Sequence, residues 1–231
     1  MATPTPSQQG QTTSPARKPS TKCRQIRALY DAETITVYQA YNSEIAAAAV
    51  AQQKLCASPS FRLTRMTWIK PSWCWMMYRA GYSYKDKNQE RILALKMTHR
   101  HFTMLLEKAS LAAGPASSSK GDAEKDGVGG GSSSGEKSPS VRVQWDPERS
   151  PRLEKRDYRS IQIGIPGPLA AAWAEDWIVG IEDVTESARA LERELRGSPD
   201  VTEEELVRSG LLPLEREYIV PARVQEVIGM V

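Results

Sequence analysis

The stretch "AGPASSSKGDAEKDGVGGGSSSGEKSPS", from about Ala113 to Ser140, offers almost no apolar side chain to bury. Its Gly/Ser content marks a flexible insert, and it divides the foldable sequence into two blocks, about 22–112 and 140–231. Neither block holds enough periodic segments to look complete. The expectation is one domain, 22–231, interrupted by a disordered insert at about 113–140. A second biased stretch, "MATPTPSQQGQTTSPARKPSTK", reads as a disordered tail over 1–21. It has no apolar core of a secretory signal. It also lacks acidic residues until Asp31, as mitochondrial presequences do, but Pro4, Pro6, Pro15 and Pro19 would break the amphipathic helix such a leader needs.

The rest has ordinary globular composition, 40% hydrophobic and 26% charged. A net charge of +3 is too small to imply nucleic-acid binding by bulk electrostatics, and no apolar run approaches a membrane span. Cys23, Cys56 and Cys74 show no metal-ligand spacing and read as free thiols in a reducing compartment. The expected location is the cytoplasm, with the nucleus second and the mitochondrion third.

Periodicity gives the elements. "RQIRALYD" and "TITVYQAY" read as strands, and "NSEIAAAAVAQQKL" as a helix capped by Asn42 or Ser43. "ERILALKMTH" is a strand leading into a helix at "RHFTMLLEKASL", and "SVRVQWD" and "YRSIQIGI" are strands. "GPLAAAWAEDWIVGIEDV" reads as a helix, with Pro168 near its start and Leu169, Trp173 and Trp177 recurring at fours. "TESARALERELRG" continues or restarts it, and Thr202 with Glu205 forms a capping box. Strands mixed singly and in pairs among helices predict an α+β fold, a mixed or antiparallel sheet packed by helices.

"RMTWIKPSWCWMMYRAGYS", Arg65–Ser83, carries three of the six tryptophans. Lys70 precedes a proline and should be extended; Pro71 and Ser72 then start a helix that Gly81 ends. Trp73, Met76, Met77 and Ala80 share the expected core face. Trp75, Tyr78, Arg79 and Tyr82 fall on the other side, where Trp75 and Arg79 are spaced for a cation–π pair.

The segments "IRALYDAETITVYQAYNSEIA", "RMTWIKPSWCWMMYRAGY", "QWDPER" and "YRSIQIGI" together resemble the family called domain of unknown function 4291, small proteins of bacteria and fungi. The motifs follow the family order through both blocks. Trp73–Cys74 stand where the family pattern has Phe-Leu, and Ala80 where it has Ser. The tail and the insert look like additions to the family core. The resemblance implies an extent, not a mechanism.

Polar residues set among these β-branched and aromatic segments must pair or face a cleft. Structural ion pairs, such as Asp146 or Glu148 with Arg149 or Arg159, are the plain reading. Yet arginines outnumber acids within the motifs, and the planar guanidinium suits phosphate. With no Walker loop and no G-x-G-x-x-G, phosphate would be held by arginines and helix N-termini. The favoured reading is a module for a phosphate-bearing ligand, a nucleotide or RNA end, in an Arg/Trp-lined cleft. Arg27, Gln39, Lys70, Trp75, Arg79, Arg159 and Gln162 are the binding candidates, and Glu148 the candidate for chemistry.

An alternative is an enzyme using NAD. "TVYQAY" looks somewhat like the first-strand motif of ADP-ribosyltransferases, with Gln39 in place of the basic residue, and "NQERILAL" like their glutamate motif, with Glu90 in the catalytic place. A third reading is an accessory role in a fungal metabolic pathway. No metal is expected: His99 and His101 are the only histidines, with no carboxylate or cysteine nearby in sequence.

Overall fold

In chain order, the computed structural model, which describes residues 23–111 and 140–230, comprises β1 (Arg27–Ala28), β2 (Thr34–Tyr41), α1 (Ser43–Gln52), β3 (Thr67–Ile69), α2 (Trp73–Ala80), β4 (Arg91–Thr98), α3 (His99–Glu107) and β5 (Ala109–Leu111). After the insert come β6 (Val141–Arg149), β7 (Lys155–Ile165), α4 (Gly167–Ala172), β8 (Ile178–Asp183), α5 (Thr185–Gly197), α6 (Glu203–Arg208), β9 (Arg216–Glu217) and α7 (Ala222–Val227). The expected disordered tail and almost all of the expected insert lie outside the described residues.

The fold is α+β. An antiparallel sheet of order β2-β4-β8 packs against a mixed sheet of order β3-β7-β6-β5, in which only β5 and β6 run parallel. A small ladder joins β1 to β9. The main core lies between the two large sheets. Val37, Leu93 and Leu95 from one sheet and Val143, Trp145, Ile161 and Ile163 from the other belong to one buried cluster, closed by Phe102 and Trp173. A second cluster lies on the other face of the β2-β4-β8 sheet. There Tyr38, Ile92 and Ala94 meet Trp73, Met76 and Met77 of α2 and Ala188 and Leu191 of α5. Among the described residues no helix is long and apolar enough to cross a membrane.

Local chemistry sets the elements that matter for the site. Ser72 caps α2, its hydroxyl accepting from the Trp75 amide at 3.1 Å, and Gly81 closes the helix in the left-handed region at φ 54°. Gly164 of β7 leaves room for the Trp68 side chain, since a Cβ there would stand 3.0 Å from the indole. The capping box of Thr202 and Glu205 starts α6.

Three expectations are corrected. "GPLAAAWAEDWIVGIEDV" is not one helix. α4 widens into a π-turn over Trp173–Trp177, and Ile178–Asp183 then pairs with β4 as β8. The fourfold spacing of Trp173 and Trp177 fits either form, and pairing with β4 decides it. "RHFTMLLEKASL" stops being helical at Glu107, because Ala109–Leu111 adds an edge strand beside Val141–Val143. "RQIRALYD" keeps the expected alternation, but its ladder shrinks to Arg27–Ala28.

Candidate functional site

Strand alternation divides the β6–β7 pair into two unlike faces. Val141, Val143 and Trp145 point into the main core, so Gln144, Asp146 and Glu148 point the other way. Their neighbours on β7 are Gln162, opposite Gln144, and Ser160, opposite Asp146. The segment leaving β3 carries Lys70 and Ser72 onto this face, and α2 covers part of it.

Glu148 is 3% exposed and strongly held. One carboxylate oxygen accepts from the Ser72 hydroxyl at 2.9 Å and from the Arg149 amide at 2.8 Å. Ser72 therefore caps α2 and grips the carboxylate together. At the next residue of α2, the Trp73 amide donates to the Glu215 carboxylate. Arg27 closes the group from β1, its guanidinium donating to the Glu215 carbonyl at 2.8 Å. Burial pushes the Glu148 pKa up, against the hydrogen bonds that favour its charge. Glu215 goes further, well above the usual carboxylate range, because its carboxyl is enclosed and Glu148 stands near it. Burial likewise pushes the Cys74 thiol up, with both glutamates adding to the effect, so it is no thiolate nucleophile at neutral pH.

These groups form the floor of a cleft of about 570 Å³. Arg27, Arg149, Arg156 and Arg208 line it from four separate segments, with Tyr158 and the apolar Pro151, Val207, Leu212 and Leu214. Arg156 pairs with Glu203 across the rim. The Arg149 guanidinium lies 3.6 Å from the centre of the Tyr78 ring and donates from Nη1 to the Leu153 carbonyl at 3.2 Å, while its buried Nε has no partner among the described residues.

Beside the cleft, on the same polar face, is a second group. Asp146 accepts from Gln144 at 2.9 Å on one oxygen and from Gln162 at 2.7 Å on the other. Burial still lifts its pKa, while Lys70 and Arg159 pull it down. Lys70 is 6% exposed, with its ammonium 5.2 Å from the centre of a Trp75 ring. Desolvation lowers its pKa to about 7, helped by repulsion from Arg79 and opposed by Asp146.

Of the residues singled out in the sequence, Arg27 and Glu148 meet in the cleft, whereas Lys70, Trp75, Arg79 and Gln162 gather at the second group. Arg159 is exposed, donates to the Trp145 carbonyl at 2.9 Å, and acts on Asp146 only through its charge. Two others go elsewhere. Gln39 is buried, donating to Thr67 at 2.6 Å and the Trp68 carbonyl at 2.9 Å and accepting from Tyr41. Glu90 accepts from the amide and hydroxyl of Ser43, where it supports the start of α1. The expected pairing of Trp75 with Arg79 is also corrected. Trp75 and Tyr82 are buried, the cation facing Trp75 is Lys70, and Arg79 donates to Gln89 at 3.2 Å. No tryptophan lines the cleft, whose aromatic residue is Tyr158.

Residues 25–218 match the family model described as domain of unknown function 4291. The chain belongs to that family. The matched span contains every residue of the cleft and of the Lys70 group. Among proteins with curated descriptions, none matches this chain.

Proposed function

We propose that the cleft recognises a small phosphate-bearing ligand, with a nucleotide the first choice. What carries this reading is the convergence of Arg27, Arg149, Arg156 and Arg208 on a space that also holds two carboxyls shifted toward neutral. Four arginines facing four ionised glutamates would cancel. Burial pushes Glu148 and Glu215 toward their neutral forms, which favours an excess of arginine charge, and a neutral carboxyl can donate a hydrogen bond to a phosphate oxygen. The volume suits a small molecule rather than a duplex, and Leu212, Leu214 and Tyr158 give an uncharged portion something to rest on. The three free cysteines fit a reducing compartment, and we take the cytoplasm as the place of action.

Transfer of ADP-ribose from NAD draws no support from this geometry, because Gln39 and Glu90 are each bound up with partners of their own. The test is a thermal-shift series on the full chain with ATP, GTP, NAD, ADP-ribose, inorganic phosphate and a short RNA. A ligand at a hundred times its dissociation constant stabilises by about 2.7 kcal/mol. The expected result is a shift with at least one mononucleotide that Arg208→Ala removes, Arg208 being exposed and safe to change. A response to NAD or ADP-ribose alone would favour the transferase reading, and a salt-steep response to RNA alone a nucleic-acid end. No response to any of them would overturn the proposal.

A further inference from the structure

Lys70 does not line the cleft. Its backbone is fixed by the bridge to Tyr38, with the Tyr38 amide donating to its carbonyl at 2.7 Å and its own amide to the Tyr38 carbonyl at 3.3 Å. Pro71 keeps it extended, so the side chain is directed onto the polar face of the β3-β7-β6-β5 sheet. There it is more than nine-tenths buried, and among the described residues its amine has no hydrogen-bond acceptor, only the Trp75 ring.

The surroundings suit carbonyl chemistry. The facing charged groups are Asp146 on β6, Arg79 on α2 and, through Asp146, Arg159 on β7. Arg79 gives one N–H to Gln89 at 3.2 Å. Gln144 and Gln162 both give an N–H to Asp146, which leaves their carbonyl oxygens to accept from hydroxyl groups. Asp146, Gln144, Gln162 and Arg79 are all partly exposed, which opens a way to the amine from solvent.

We propose that Lys70 is a reactive amine that condenses with a small hydroxylated aldehyde or ketone to form an imine on this face of the sheet. The neutral amine adds to the carbonyl carbon, and the carbonyl oxygen takes up a proton to give a carbinolamine. The nitrogen gives up one of its protons in forming that neutral carbinolamine. The Asp146 carboxylic acid then protonates the departing hydroxyl, and its carboxylate takes the second N–H proton from the resulting iminium. One water leaves as the C=N bond forms, with no oxidant or reductant consumed. Lys70 is the nucleophile and Asp146 the proton donor. The depressed pKa of about 7 supplies neutral amine at physiological pH, and burial pushes the Asp146 carboxyl up, toward the protonated form that can give a proton. None of this depends on what the arginine-lined cleft binds.

The test uses the full chain, glycolaldehyde as the probe carbonyl and cyanoborohydride to trap the imine, with the adducts located by peptide mass mapping. At pH 7 a lysine of ordinary pKa is almost wholly protonated, so Lys70 should be modified at least about tenfold faster than exposed Lys87, with the advantage fading toward pH 10. Modification of Lys70 no faster than Lys87 at pH 7 would overturn the proposal. Trace acetylation with acetic anhydride reads nucleophilicity without needing Asp146. Asp146→Asn should therefore slow trapping several-fold while leaving the relative acetylation of Lys70 unchanged. If trapping stays at the original rate, Asp146 is not the acid. An unfolded variant would show every lysine acetylated alike, and the pH profile of the unmodified protein then decides alone.

Discussion

The two faces of the β6–β7 pair are built from alternating residues of the same strands, yet they are held by different physics. Inward, Val141, Val143, Trp145, Ile161 and Ile163 are stabilised chiefly by removal from water, and of their side chains only the Trp145 indole N–H needs a polar partner. Outward, Gln144, Asp146, Glu148, Ser160 and Gln162 are shielded almost as well in places, and each acid is gripped by named donors. The inner face explains why the sheet forms. The outer face costs stability, since its carboxyls are pushed toward neutral and Lys70 toward its free amine. Polar groups retained at such a cost point to use, which is why the candidate site belongs there.

Trp145→Ala should show the largest effect. It removes a ring from the main core and the hydrogen bond from its indole to the Ile228 carbonyl at 2.7 Å, so urea unfolding should find a loss of about 3–5 kcal/mol. Gln144→Ala, one residue away, should lose less than about 1 kcal/mol. Equal losses would mean that the outer face is part of the core and the contrast is false.

Lys70→Met comes next and has the opposite sign. The folded-state pKa of about 7 lies below the ordinary lysine value, so the unfolded chain binds more protons between the two. Stability from this residue therefore rises as pH is raised from 7, and its penalty is complete below 7. Replacing the amine by a methyl-ended chain should stabilise the protein by on the order of 2 kcal/mol at pH 7 and flatten the rise between pH 7 and 8.5. Those limits avoid Cys74 and the buried tyrosines, whose raised pKa values act in the reverse direction at higher pH. Loss of stability in Lys70→Met would show the charge to be structural.

Much of this contrast was legible in the sequence. "SVRVQWD" and "YRSIQIGI" read as strands, and the polar Glu148 and Gln162 stood out among their β-branched and aromatic neighbours. The helix from Trp73 was legible from Pro71, Ser72 and Gly81, all local signals. What the sequence could not supply was distance. Glu215 and Arg208 lie in segments rich in ordinary surface charge, and nothing local tells Glu215, enclosed beside Glu148, from Glu217 two residues on. β5 and β8 were missed for the same reason: each is a strand only because β6 or β4 is there to pair with it.

Glu215→Gln tests the carboxyl pair with a smaller effect. The amide oxygen still accepts from the Trp73 amide, so the geometry survives while the charge goes. A carboxyl whose folded pKa is raised contributes stability that is present at low pH and lost as pH rises through the folded value. The unmodified protein should therefore lose stability as pH is raised from about 5 toward neutral, and the variant should lose less. A variant with an unchanged profile would show that Glu215 is ionised throughout, and the excess of positive charge proposed for the cleft would go with it.

Arg156→Ala should have the smallest effect on the fold and for that reason separates the two faces most cleanly. Its pair with Glu203 links β7 to α6 at the rim, with both side chains substantially exposed. Such pairs contribute between about 0 and 1 kcal/mol, because water solvates the ions well and ordering two long side chains costs entropy. Unfolding should barely register the change. If the cleft holds a phosphate-bearing ligand, affinity should nonetheless fall about tenfold, because a guanidinium against phosphate in a partly enclosed site is worth more than the same group against Glu203 at the rim. A residue that the fold can lose and the ligand cannot would assign the outer face to recognition. The reverse result, lost stability with unchanged binding, would make the arginines a clasp between β7 and α6.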